Sequence, residues 1–165
     1  MSKIKIIKDC ISKDDFKNIK DMFYADSFPW YLQLGVNRKG DGYVQFCHTF
    51  YNNFNQNSQN FLVLKPLIDL LNPLSIIRIK ANLLTKTSEI IKHGLHTDQS
   101  FKCTTAIFYV NTNNGFTEFE NGEKIFSEEN KLVIFDNFTK HTGTSCTDKN
   151  ERMVINFNYI TKALK

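Results

Sequence analysis

Short alternating runs fill the second half of the chain. LSIIRIKANLL, CTTAIFYVN, GFTEFEN, KLVIFDN and RMVINFNYI are rich in β-branched and aromatic residues and are separated by polar turns. Strands in series with no helical pattern between them predict an antiparallel sandwich or barrel. The first half is mixed. KIKIIKD alternates lysine and isoleucine and reads as a strand. SKDDFKNIKDMFYAD predicts a helix, with Ser12 as N-cap, Asp15 at the third helical position and Phe16, Ile19 and Phe23 on one face. PWYLQLGV and GYVQFCHTFYNN predict two strands around the turn NRKGDG, where Gly40 and Gly42 can take positive φ. SQNFLVLKPLIDLLN is apolar at helical spacing and stops at Asn72-Pro73, which predicts a second helix. Pro66 falls either in its first turn or at a kink. Helices first and a β-roll last predict an α+β fold on a jelly-roll core. No composition break or repeat divides the sequence, so residues 1–165 read as one domain.

The bulk numbers agree with a packed core. A chain of 165 residues buries enough surface to need no disulfide staples, and 15 phenylalanines argue against disorder. The formal charge of +4 comes from scattered lysines, so no basic patch points to nucleic acid. The four cysteines, Cys10, Cys47, Cys103 and Cys146, form no close pair. The opening MSKIKIIKDC is too charged for a secretory signal, and no stretch approaches a membrane span. The expected location is therefore a reducing cytoplasm, with the cysteines as small buried hydrophobes and the sequon at Asn137 a chance match.

Chemistry concentrates in GLHTDQS, where His96 and Asp98 stand two apart. In an extended segment such residues share a face and can point at one ion. His141 follows the strand KLVIFDN far downstream. Two imidazoles and one carboxylate suit a ferrous ion better than magnesium or calcium, although zinc accepts the same donors. Arg152 opens the last strand, where a guanidinium is out of place unless an anion meets it or it reaches water from an edge. His93 reads as a solvated loop residue. Trp30 and His48 belong either to a substrate mouth or to aromatic packing between the helices and the roll.

With His96-x-Asp98, His141 and Arg152 in this order, the sequence resembles the Fe(II)/2-oxoglutarate-dependent dioxygenases, closest to their prolyl-4-hydroxylase-like branch and its small phage-encoded members. The resemblance is firm from about Ser75 to Tyr159. It implies a double-stranded β-helix, cupin-like core with N-terminal supporting helices. It further implies an enzyme that couples decarboxylation of 2-oxoglutarate to succinate with hydroxylation of a small-molecule or peptidyl substrate. On this reading His96, Asp98 and His141 bind Fe(II), Arg152 holds the distal carboxylate of 2-oxoglutarate and Tyr109 bonds the same carboxylate. Thr142 and Gly143 would be the small residues flanking the iron. O2 is the second co-substrate and ascorbate a reductant. Two positions depart from the pattern. Leu84-Thr85 stands where many relatives have Tyr-Pro, leaving Asn82 as the polar residue that would take over. Val154 stands where some have a second hydroxyl contact. The contrasting expectation is a non-catalytic cupin-like metal-binding or sensing module.

Overall fold

Alternation assigns the two faces of the longest strands, β5 (Ser75–Thr85) and β11 (Glu151–Ile160), in a computed structural model that describes residues 4–161. On β11, Met153, Ile155, Phe157 and Tyr159 enter one apolar core, while Arg152, Val154, Asn156 and Asn158 turn to the opposite face. The antiparallel register sets Arg152 opposite Leu84, Val154 opposite Asn82, Asn156 opposite Lys80 and Asn158 opposite Arg78. Two strands thus present matched polar rows to one side of the sheet.

The remaining strands are β1 (Lys5–Ile7), β2 (Tyr31–Leu34), β3 (Val44–Asn52), β4 (Asn55–Gln56), β6 (Thr104–Tyr109), β7 (Phe116–Phe119), β8 (Lys124–Phe126), β9 (Lys131–Asp136) and β10 (His141–Gly143). The major sheet runs β1-β9-β6-β11-β5-β3-β2, with β4 paired to β3, and the minor sheet runs β10-β7-β8. All pairings are antiparallel. The sheets meet through Ile107, Tyr109, Phe119, Ile125, Val133, Phe135 and Val154. That packing forms the expected roll.

The helices cover the other face of the major sheet. In α1 (Lys13–Tyr24), Ser12 accepts from the Asp15 backbone N–H at 3.1 Å, as its position before two acids predicts. Ile19 and Phe23 then bury against Phe28 and Phe50. Each such side chain contributes about 1.5–3 kcal/mol of burial. The second helix is shorter than expected. Residues Gln59–Leu64 form a 3₁₀ segment, and α2 covers only Lys65–Leu71, with Pro66 in its first turn. Proline has no N–H to donate backwards, so the helix restarts where that donor is not needed. Asn72 ends it in the left-handed region at φ 43°.

The strands β4, β8 and β10 are two or three residues long, too short to leave a periodic signal. Gly40 and Gly42 do carry positive φ, at 77° and 85°. All four cysteines are free thiols and three are buried. Asn137 is buried completely, and its amide is spent on backbone, so the sequon serves the interior. Among the described residues no helix is long and apolar enough to cross a membrane.

Candidate metal centre

His96 and His141 meet through a two-way backbone bridge, each N–H reaching the other's carbonyl at 3.0 Å. His141 therefore begins β10 rather than trailing β9 as a loop residue. The bridge leaves the two rings 4.8 Å apart, centroid to centroid. Asp98 follows in a bend, and one donor atom from each of the three residues lies within 4.8 Å of the others.

The imidazole tautomers are fixed by their neighbours. His96 Nδ1 faces the Gly94 carbonyl at 3.2 Å and His141 Nδ1 faces that of Thr139 at 3.4 Å. A carbonyl only accepts, so both Nδ1 atoms carry hydrogen and both Nε2 lone pairs are free. Burial pushes His141 down to about 4, against the opposing pull of Asp98, and keeps it neutral at ordinary pH. The Asp98 side chain is only 5% exposed. Its Oδ1 lies 3.3 Å from Arg78 Nη2, and its Oδ2 accepts from Asn158 Nδ2 at 2.9 Å. Burial alone would raise its pKa; Arg78, His141, Asn158 and His96 outweigh burial and hold the carboxyl below its usual range. One charged carboxylate and two imidazoles are a ready set for a borderline divalent cation such as Fe(II), and equally for zinc.

Asn137 holds the segment that follows Asp98. It accepts from the Gln99 N–H at 3.0 Å and donates to the Gln99 and Phe101 carbonyls at 2.7 and 3.2 Å. Sequence reading missed Arg78, Asn158 and Asn137. The signal for the first two was present: both fall in the polar phase of strands whose other phase is apolar. Asn137, in a turn, left none.

Beside the three donors lies a cavity of about 240 Å³. The polar rows of β5 and β11 form its floor, and Thr117 and Gly143 of the minor sheet also line it. Arg152 is 4% exposed and has no carboxylate within ion-pair distance among the described residues. Its Nε donates to Ser127 Oγ at 2.9 Å and its Nη2 to Thr117 Oγ1 at 3.3 Å. Burial lowers its pKa, yet a guanidinium stays charged. It is not an edge residue reaching water. A lone buried cation costs several kcal/mol, which an anion at this place would offset. Room for the Arg152 side chain is left by Gly115, where a Cβ would come within 2.5 Å of Arg152 Cδ and 2.7 Å of the Ser145 carbonyl.

Tyr109 is fully buried under this group. The guanidinium carbon lies 5.7 Å from its ring centre, and its hydroxyl donates to Thr117 Oγ1 at 2.8 Å. Its hydroxyl thus joins the same network through Thr117, and the residue itself is not part of the cavity wall. Asn82 does line the cavity, and its Oδ1 accepts from the Cys47 thiol at 3.3 Å. Leu84 and Val154 add apolar wall. Gly143 lies against Arg152, where an added Cβ would sit 3.4 Å from Nη1, and Thr142 is buried beside it.

Three sequence expectations are corrected or decided. His93 is not solvated: it is 8% exposed, packs edge-on to Tyr43, and both its ring nitrogens lack a hydrogen-bond partner among the described residues. His48 does not reach this cavity. Its ring is buried against Phe28 and Phe50, bonded to the Pro29 carbonyl and Ser58 hydroxyl at 2.8 Å each. Trp30 stacks on Phe23 at 5.5 Å in the helix-side core. Gln45 does line the cavity, donating to the Gly35 and Val36 carbonyls of the β2–β3 loop.

No protein-family model matches this sequence, and no curated protein matches it. Solved structures do. A 2OG-Fe(II) oxygenase-family oxidoreductase from Burkholderia pseudomallei aligns with TM-score 0.70 and 12% identity over 95% of this chain and 84% of its own. A prolyl hydroxylase from Trichoplax adhaerens, in complex with a hypoxia inducible factor peptide fragment, aligns with TM-score 0.69 and 13% identity over 95% and 83%. The epimerase SnoN, in complex with Fe3+, alpha ketoglutarate and nogalamycin RO, aligns with TM-score 0.69 and 10% identity over 97% and 79%. The chain has the double-stranded β-helix fold of these 2OG-Fe(II) oxygenases.

Proposed function

We propose, from this shared fold, that the chain is an Fe(II)- and 2-oxoglutarate-dependent oxygenase, coupling oxidative decarboxylation of 2-oxoglutarate to succinate with hydroxylation of a small-molecule or peptidyl substrate. One observation carries the reading: a buried guanidinium at Arg152, with no carboxylate within ion-pair distance among the described residues, shares a cavity with the three-donor cluster of His96, Asp98 and His141. A metal-binding module alone has no use for that cation.

His96 Nε2, Asp98 and His141 Nε2 would hold the metal beside the cavity. Arg152 offers two parallel N–H donors to a carboxylate. The Ser127 and Thr117 hydroxyls brace that fork, and the Tyr109 ring lies beneath it. Asn82 is the polar group on β5 for the keto-acid end. Leu84, Ile107 and Val154 exclude water between the two ends. When bound, the ferrous ion and 2-oxoglutarate together supply the O2-dependent oxidising chemistry, while the protein supplies placement and enclosure. Ascorbate would serve to keep the iron ferrous. Four free thiols fit a cytoplasmic setting.

The test is anaerobic reconstitution with Fe(II), followed by 2-oxoglutarate. A visible ferrous-to-keto-acid charge-transfer absorption, then succinate on admission of O2, supports the reading. Metal binding with neither absorption nor succinate overturns it in favour of a metal-binding module.

A further inference from the structure

The charges lining the cavity do not balance. Arg78, Lys80 and Arg152 face a single carboxylate, Asp98, which Arg78 and Asn158 already engage. A ferrous ion and doubly ionised 2-oxoglutarate would cancel each other, so loading the site as proposed above leaves the cationic surplus in place. Arg152 is taken up by the co-substrate on that reading. Lys80 is not.

Lys80 sits near the middle of β5, between Asn156 on β11 and Thr49 on β3. Its Nζ donates to Gln33 Oε1 at 3.2 Å, beside the Cys47 thiol, and it makes no ion pair among the described residues. Burial is the leading influence on it and lowers its pKa. A lysine that merely needed solvation would extend to water. Here the half-buried ammonium turns to Gln33 of β2, at a cavity lined by the amides of Gln33, Asn37, Gln45 and Asn82. Its neighbour Asn156 is the second anomaly. The side-chain oxygen of Asn156 is buried in the same cavity wall without a hydrogen-bond partner among the described residues. Among the described residues an ammonium without an ion pair thus stands beside an amide oxygen without a donor, and each costs free energy unless a ligand meets it. Both costs vanish for a ligand that presents a carboxylate next to an N–H or O–H donor.

We propose that Lys80 and Asn156 form the substrate subsite, and that the substrate carries a carboxylate flanked by a hydrogen-bond donor, a free α-amino acid being its simplest form. The inference rests on the oxygenase reading and deepens it. A side-chain carboxylate of an acidic peptide has the same anionic chemistry, and the experiment separates the two sources.

Anaerobic Fe(II)–2-oxoglutarate protein is titrated calorimetrically with the common amino acids, with their carboxamides, and with blocked peptides containing Asp or Glu. The charge-transfer absorption is followed in parallel. A free acid binds, and its carboxamide binds at least about tenfold more weakly. Lys80→Met weakens the acid by at least about tenfold, while Lys80→Arg, which keeps the charge, recovers most of the affinity. Preference for the blocked acidic peptides supports the same subsite and assigns the carboxylate to a chain. Equal binding of acids and carboxamides, undiminished binding by Lys80→Met, or no carboxylate binding at all overturns the proposal. These outcomes are read only where the charge-transfer absorption has formed; formation of neither that absorption nor succinate removes the oxygenase reading itself.

Discussion

His96 and His141 exchange backbone hydrogen bonds in both directions at 3.0 Å, so the pair is positioned by main chain rather than by its own side chains. Removing either imidazole should leave the bridge standing. His96→Ala and His141→Ala are expected to keep the far-ultraviolet circular dichroism and a cooperative melt, and to lose more than about 100-fold in Fe(II) or Zn(II) affinity, beyond what the loss of an outer hydrogen bond costs. His48→Ala gives the opposite pattern. Its two 2.8 Å bonds tie the Pro29 carbonyl and the Ser58 hydroxyl, so it should cost about 1–3 kcal/mol of stability and leave metal affinity intact. Metal titration and chemical denaturation of the three variants decide the matter.

Asn158 holds the second oxygen of Asp98, and its own Oδ1 accepts from Arg78 Nε at 3.0 Å. Its Nδ2 also donates to Thr105 Oγ1 at 3.1 Å, so the amide is fixed before any metal arrives. Asn158→Ala leaves one carboxylate oxygen without its donor and frees the side chain to rotate. The expected result is a loss of about 10–100-fold in metal affinity with the three donors unchanged in identity. Equal affinity in wild type and variant would show that Arg78 alone orients the carboxylate.

The extent to which these features were legible follows from where the pattern lives. Strands β5 and β11 were readable because one phase of each is apolar and buried, and that alternation survives in sequence. The His96-x-Asp98 pair and Arg152 were readable because charged groups in or beside apolar strands need a reason. His93 was misread as solvated because its flanks, Lys92 and Gly94, are those of a surface loop. Its burial comes from Tyr43, on the β2–β3 hairpin, a contact that no local spacing encodes. His48 was placed at the mouth or in the packing with equal reason, since a strand histidine among aromatics suits both. Only its tertiary partners separate them. Lys80, Asn156 and Asn158 share the polar phase with Arg152, so the row itself was visible, but the cavity that gives it meaning exists only once the minor sheet folds over it.

Asp41 controls the lip of that cavity. Its carboxylate accepts the backbone N–H groups of Val36, Asn37, Arg38 and Tyr43 at 2.9–3.3 Å. Lost hydration alone would raise its pKa; the four backbone donors outweigh that and lower it to about 2. A depressed carboxyl contributes stability that is fully present above its unfolded value of 3.8 and is lost as pH falls through 2. The loop at residues 36–43 should therefore loosen between pH 4 and 2, ahead of the core. Amide hydrogen exchange checks this, with protection of the β5 and β11 amides as the internal reference. Asp41→Ala should show the loose loop already at neutral pH, and a loop equally protected in that variant would refute the role.

Gly115 offers a way to move Arg152 without deleting it. A methyl at this position would press on Arg152 Cδ at 2.5 Å, with the Ser145 carbonyl at 2.7 Å and Asn113 Oδ1 at 2.9 Å closing the other sides. Backbone cannot yield cheaply, so the arginine side chain takes the displacement and its bonds to Ser127 and Thr117 are strained. The guanidinium then no longer aims its two donors as a fork. Gly115→Ala is expected to weaken 2-oxoglutarate by about tenfold or more, while Fe(II) affinity stays within about twofold, since none of the three donors touches this corner. Arg152→Met completes the comparison. It removes a buried cation that has no acid partner among the described residues, so the ligand-free protein should be as stable as wild type or more so. The same variant should lose the extra stability, about 2.7 kcal/mol at 100 times the dissociation constant, that 2-oxoglutarate confers on the wild type. Thermal melts with and without 2-oxoglutarate in the presence of metal measure both effects. A stabilisation by 2-oxoglutarate that survives in Arg152→Met would mean the dicarboxylate is held elsewhere and Arg152 serves the fold alone.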